Sequence, residues 1–95
     1  MTIKVLKVSG TSNVNAVAEA IIRNALNDSI VHIDSIGIKA AYTAIKALIH
    51  TTDFLVQEGH RINLRPYYVT VNTSENGMQP VTKTAIRWTL IAKKN

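Results

Sequence analysis

The chain has 95 residues, with eleven Lys and Arg against six Asp and Glu, a formal net charge of +5 and no cysteine. This length predicts one domain spanning residues 1–95, and the missing cysteine excludes a disulfide framework or a thiolate metal site. No apolar run approaches the roughly 18 residues of a membrane span. Because Met1–Lys4 also lacks a signal-peptide layout, we expect a cytoplasmic protein.

The first strand-helix unit occupies residues 3–27. The apolar run Ile3–Ser9 predicts a strand, and the polar segment Gly10–Asn13 predicts a tight turn in which Ser12 or Asn13 caps the following helix. Apolar residues then recur with helical spacing as far as Asn27. The predicted inward stripe consists of Val14, Val17, Ala18, Ile21 and Ala25.

The second unit begins with alternating apolar and polar residues over Ile30–Ser35, which predict a strand with one buried face. After Gly37, apolar spacing predicts a helix over Ile38–His50, closed by Thr51–Asp53 and followed by the apolar connector Phe54–Val56. Its predicted inward stripe is Ile38, Ala41, Ile45 and Leu48, and its opposite, basic stripe is Lys39, Thr43, Lys46 and His50.

Two strands are predicted to end the chain as a hairpin. The first begins near Arg61, and Pro66 within it indicates an edge strand or a bulge. The loop 72–80 contains Asn76-Gly77, a strong hairpin signal, so we expect a projecting, mobile tip around Glu75–Gly77. The last strand, Val81–Ala92, alternates between an apolar face with Thr84, Ile86, Trp88 and Leu90 and a polar face with Lys83, Ala85, Arg87 and Thr89.

The predicted order is therefore β-α-β-α-β-β. Right-handed crossovers would place both helices on one face of a four-stranded mixed sheet. The terminal hairpin would complete a two-layer α+β sandwich. Because so thin a sandwich leaves apolar groups uncovered, including Tyr67, Tyr68, Trp88 and Phe54–Val56, we expect a homo-oligomer, at least a dimer.

A set of short motifs, in order and suitably spaced, resembles the stage V sporulation protein S family over nearly the whole chain. These motifs are Leu6–Ser9, Ser12-Asn13, Asn15, Val17-Ala18, Ile36-Gly37, Ala44–Ala47, Phe54, Gly59, Pro66 and Thr84–Ile86. That family is similar in fold to the archaeal chromatin protein Alba. The resemblance implies an Alba-like domain, dimeric or higher, that binds nucleic acid or acts in sporulation and related regulation. The chain departs from the family at Gly10-Thr11, a turn that often contains a lysine in the family, and at Ile38-Lys39, Val14 and the loop 72–80.

Three groups of residues are candidates for nucleic-acid contact. Lys39 and Lys46 on the second helix could follow a phosphate backbone, although an ordinary solvated helix face would look the same. Arg61, Arg65, Lys83 and Arg87 on the hairpin could enter a groove of a duplex, or could protect the sheet edge, and of these Arg65, Lys83 and Arg87 are the predicted phosphate contacts. Thr11 and Ser12 at the first turn could contact an anion, or could serve only in helix capping.

These residues predict a small nucleic-acid-binding protein that uses mainly phosphate contacts, with DNA and RNA both open. The alternative is a protein-interaction or scaffolding module in a sporulation-type pathway. His32, His50 and His60 show no metal-site spacing, and no serine or threonine has a nearby histidine and acid that would suggest a nucleophile. We therefore expect no enzyme activity, cofactor or metal, and no membrane association.

Overall fold

The computed structural model describes residues 2–73, 79 and 81–95, and the predicted hairpin tip at Glu75–Gly77 lies outside them. The element order β-α-β-α-β-β matches the prediction. The elements are β1 (Thr2–Val8), α1 (Val14–Leu26), β2 (Ser29–Ser35), α2 (Ile38–Gln57), β3 (His60–Thr73) and β4 (Val81–Lys94). Asn72 and Thr73, predicted as loop, continue β3.

The four strands form one mixed sheet in the order β1-β2-β4-β3. β1 runs parallel to β2, and β4 runs antiparallel to both β2 and β3. The β3–β4 register is continuous from His60 opposite Lys94 to Thr73 opposite Val81. Pro66 therefore sits on an edge strand without a bulge, since an edge strand can spare the missing N–H.

Both helices pack on one face of the sheet, as predicted. The sheet contributes Val31, Ile33 and Leu90 to the core, all fully buried. The stripe predicted for α1 is confirmed, because Ala18, Ile21 and Ala25 are buried and Val14 and Val17 pack against the core. The buried residues of α2 are Ala40, Thr43, Ala44, Ala47, Leu48, Thr51 and Leu55.

α2 is longer than predicted. It does not close at Thr51–Asp53 but continues to Gln57, so Phe54–Val56 is helical and not a connector. The Thr51 hydroxyl donates to the Ala47 carbonyl at 2.8 Å, and the Thr52 hydroxyl donates to the Leu48 carbonyl at 2.9 Å. Threonine hydroxyls often compete with helix formation by bonding to nearby backbone groups. Here both hydroxyls bond to carbonyls of the preceding helical turn, so the helix continues through them.

The inward face predicted for α2 is also wrong. Of its four residues only Leu48 is buried, whereas Ile38 is 90% exposed. Thr43, assigned to the outer basic stripe, is instead buried, and its hydroxyl donates to the Lys39 carbonyl at 3.0 Å. α2 is apolar around most of its circumference, so periodicity alone could not tell which apolar stripe faces the core.

Candidate nucleic-acid interface

One face of the sheet is not covered by a helix and is here called the helix-free face. It carries most of the basic side chains of the strands. Residues paired across neighbouring strands point to the same side, and Asp34 is opposite Arg87, which is opposite Tyr67. The side chains on this face, opposite the core, include the basic residues Lys7, Arg61, Arg65, Lys83, Arg87 and Lys93. Among the described strand residues, Asp34 is the one carboxylate on this face.

Arg87 is held in place by Asp34. Its Nε lies 2.7 Å from Oδ1, and its Nη2 lies 2.8 Å from Oδ2, so two parallel hydrogen bonds join the groups. The side chains are 23% and 8% exposed, which makes Asp34 nearly buried. These hydrogen bonds raise the pKa of Arg87 above its ordinary value. One predicted phosphate contact therefore already has an internal carboxylate partner.

Arg65 and Tyr67 form a second contact on the same face, which sequence reasoning missed. The Arg65 guanidinium lies over the Tyr67 ring, 4.9 Å from its centroid, within the range of a cation–π interaction. The Tyr67 hydroxyl lies 2.7 Å from the Thr89 hydroxyl across the strand pair. The sequence signal for this contact was the i, i+2 spacing of Arg65 and Tyr67, which places both side chains on the same face of one strand.

His32 lies next to this group on β2, opposite Thr89. Its Nδ1 is buried and has no hydrogen-bond partner within the part of the chain that the structure describes. Burial lowers the pKa of His32, and the positive charge of Arg87 lowers it further, while Asp34 acts in the opposite direction. The neutral imidazole is therefore favoured in the folded protein.

Lys39 and Lys46 do not share the helix-free face, because both lie on α2. Lys39 packs against the turn that follows β1, where a Cβ atom built on Gly10 would lie 2.6 Å from the Lys39 Cβ. The Lys46 Nζ lies 4.5 Å from the centroid of the Tyr42 ring. The five predicted phosphate contacts thus fall into two groups, three on the sheet and two on the helix.

The hydroxyls predicted to contact an anion close the turn between β1 and α1. The Ser12 hydroxyl accepts from the Ser9 backbone N–H at 3.0 Å, and the Thr11 hydroxyl lies 3.1 Å from the Ser9 hydroxyl. Of the two candidate caps, Asn13 caps α1, with its Oδ1 accepting from the Ala16 N–H at 2.9 Å. Both strand-to-helix turns lie at the same end of the sheet, as the parallel β1–β2 pair requires.

α2 also presents an exposed row of apolar side chains, here called the α2 apolar strip. It consists of Ile38, Tyr42, Ile45, Ile49 and Val56, all at least 41% exposed. Next to the strip, Leu64 and Trp88 help to line a cavity of about 160 Å³. Tyr68, exposed on the same side of the hairpin, lines a larger groove with Tyr42 and Ile45. Tyr67, expected in the same apolar surface, is on the opposite face.

Within residues 2–73, 79 and 81–95, no group of three or more histidine and carboxylate side chains could hold a metal ion. In the same part of the chain, neither helix combines the length and the apolar character needed to cross a membrane.

Comparisons with known proteins give a family and a fold. The family model described as Stage V sporulation protein S (SpoVS) matches residues 4–93. No curated protein matches the chain. Alba from Thermoplasma volcanium is 18% identical, with 94% of this chain and 98% of that chain covered and a TM-score of 0.57, which shows a shared fold. Precorrin-6y C5,15-methyltransferase from Geobacter metallireducens GS-15 is 13% identical at a TM-score of 0.41, covering 97% of this chain and 44% of that one.

Proposed function

The chain belongs to the stage V sporulation protein S family, and from this membership and its basic surface we propose that it binds DNA or RNA mainly through phosphate contacts. Binding of this kind would serve a regulatory role, in the cytoplasm and without catalysis. The proposed contacts are Lys39, Lys46, Arg65, Lys83 and Arg87, with Thr11 and Ser12 as further anion contacts.

The observation that carries this proposal is the charge of the helix-free face. Six basic side chains project from it, and the one carboxylate among the described strand residues there is neutralised by Arg87. Side chains of one sign on one open surface attract a polyanion and need no particular base sequence. An edge that only needed protection against aggregation would not require basic residues on the central strand β4.

The α2 apolar strip favours self-association, so we propose that the chain acts as a homodimer or larger oligomer. Ile38, Tyr42 and Val56 are each more than half exposed, which is unusual for three apolar side chains along one side of a helix. Two copies joined here would bring two helix-free faces into one assembly. The combined basic surface would then exceed that of one chain.

The same strip supports a second candidate function, a protein-interaction or scaffolding module in a sporulation-type pathway. In that case the strip would receive a different protein, and the basic residues would serve solubility. The division of the predicted contacts between α2 and the sheet fits this alternative better than convergence on one face would.

Titration against nucleic acid separates the two functions. Fluorescence anisotropy with labelled duplex DNA and duplex RNA, repeated from low to physiological salt, should give weak sequence preference and a steep loss of affinity with salt. No binding even at low salt would reject the nucleic-acid function in favour of the interaction module. A sequence-specific site with little salt dependence would also contradict the proposal.

A further inference from the structure

One exposed arginine on the helix-free face has an aromatic ring next to its guanidinium group. Arg65 is exposed, and its guanidinium lies over the Tyr67 ring at 4.9 Å from the centroid. The ring restricts where the flexible arginine side chain can go, so the guanidinium is partly ordered before any ligand arrives. Arginine offers its plane as well as its charge, and a nucleobase can stack on that plane.

Tyr67 is in turn fixed by the neighbouring strand. Its hydroxyl lies 2.7 Å from the Thr89 hydroxyl, so the half-buried ring is held at both its face and its tip. A support that is already ordered reduces the entropy lost when a ligand binds. Arg65, Tyr67 and Thr89 therefore form a small, pre-arranged stack on an open sheet.

We propose that the helix-free face binds single-stranded nucleic acid, with an unpaired base stacked on the Arg65 guanidinium. This inference rests on the proposed nucleic-acid function and specifies which form of nucleic acid the face prefers. The charge of the face fits such a strand, since Arg61 and Lys93 continue the basic surface along the hairpin on one side and Lys83 continues it on the other.

The form of the surface favours a single strand over a duplex. In a duplex the flat faces of the bases are stacked on each other, and only the phosphates and base edges are accessible to a protein. A single strand can turn its base faces toward a sheet and still place its phosphates near basic side chains. A shallow cavity of about 280 Å³, lined in part by Arg61, Asn63 and Lys93, adjoins the stack and gives the strand a further recess.

The test compares Arg65→Lys with Arg23→Lys, a control at an exposed arginine of α1 outside the proposed site. Both substitutions keep the positive charge and remove the planar guanidinium, but only Arg65 has an aromatic support among these two positions. The probes are an oligouridine of about twelve nucleotides, within the usual range of site sizes, and a duplex of the same length. We expect Arg65→Lys to weaken oligouridine binding about tenfold, to leave duplex binding unchanged and to preserve the salt slope.

Arg23→Lys should change neither affinity by more than about twofold. A second variant, Tyr67→Leu, should also weaken oligouridine binding selectively, with circular dichroism used to verify its fold.

Equal affinities of Arg65→Lys and the unchanged protein for oligouridine would overturn the inference, as would equal losses in the two lysine variants. If the unchanged protein binds duplex but shows no preference for the single strand, this inference fails and the proposed function stands. Absence of all binding at low salt would reject both.

Discussion

Gly10 lies so close to Lys39 that a Cβ atom on the glycine would stand 2.6 Å from the Cβ of the lysine. The contact joins the turn after β1 to the first turn of α2, and it involves an atom next to the backbone that cannot swing away. Position 10 of this turn therefore has no room for a side chain. The Lys39 Cβ occupies the space that such a side chain would need.

We expect Gly10→Ala to destabilise the protein by about 1–3 kcal/mol through this steric conflict. Lys39→Gly removes the opposing Cβ, so the double variant Gly10→Ala/Lys39→Gly should recover part of the loss. Urea denaturation of the four proteins gives the coupling free energy directly. Strictly additive losses in the double variant would show that the two residues do not conflict.

Asp34 occupies two hydrogen-bond donors of Arg87 that could otherwise contact a phosphate. Asp34→Asn should cost about 1–3 kcal/mol of stability, because the nearly buried pair loses its charge-assisted hydrogen bonds. The same change frees Arg87, so duplex DNA should bind more tightly, and its affinity should fall more steeply with salt. Urea denaturation and salt-dependent anisotropy measure the two effects. An unchanged salt slope would show that Arg87 does not reach a phosphate.

The two groups of basic residues can be separated by paired substitutions. Lys39→Ala/Lys46→Ala should lower the slope of log affinity against log salt by about two if both lysines contact duplex DNA, and should weaken all sequences alike. The fold should survive, because Ala keeps the Cβ that packs against Gly10. Arg65→Ala/Lys83→Ala tests the sheet group in the same way.

A matched control for these pairs is Lys4→Ala/Arg23→Ala, which removes the same charge from two exposed positions outside the proposed contacts. If all three double variants lower the slope equally, net charge and not position determines binding. If only one of the two test pairs does so, the phosphate contacts belong to that surface alone.

Self-association through the α2 apolar strip is tested by Ile49→Glu. Ile49 is 55% exposed, so the chain should still fold, while a charge in a buried interface should reduce the oligomer to monomers. Ile3→Glu, at 63% exposure on the helix-free face, is the control. Light scattering gives the masses. A monomer mass for the unchanged protein at high concentration would contradict the proposed oligomer.

His32 should make stability depend on pH. Its pKa is lowered in the folded state, so the unfolded chain binds a proton more readily. The contribution of His32 is therefore fully present above its ordinary pKa of about 6.5 and is lost as the pH falls through the folded-state value. Urea denaturation at several pH values should show this loss, and His32→Gln should reduce it. The matched control is His50→Gln, because His50 is an exposed histidine on α2.

Features determined by residues close together in the sequence were predicted better than features determined by distant residues. The strands, α1 and the hairpin follow from local alternation, turn residues and capping by Asn13, so they were predictable. α2 was harder, because Thr51 and Thr52 resemble a helix end unless their hydroxyls are known to bond to the preceding turn. Its inward stripe was assigned wrongly because stripes that contain Ile38 and Ala40 fit the core equally well by spacing.

The site depends more on contacts between distant segments. Asp34 and Arg87 are 53 residues apart, and their pairing requires β4 to lie next to β2, which no local pattern specifies. The collection of six basic residues on one face follows from that same strand order. Only the Arg65–Tyr67 contact, two residues apart on one strand, was within reach of sequence reasoning.

The position of β4 has a consequence for synthesis on the ribosome. β4 is the last of the six elements along the chain, yet it lies in the middle of the sheet and joins β2 to β3. Until β4 has emerged from the exit tunnel, β2 is unpaired on one side, β3 has no partner in the sheet, and Leu90 is missing from the core. Nascent chains that stall before β4 would expose the open edge of β2 and the unpaired strand β3, and such edges recruit chaperones or aggregate.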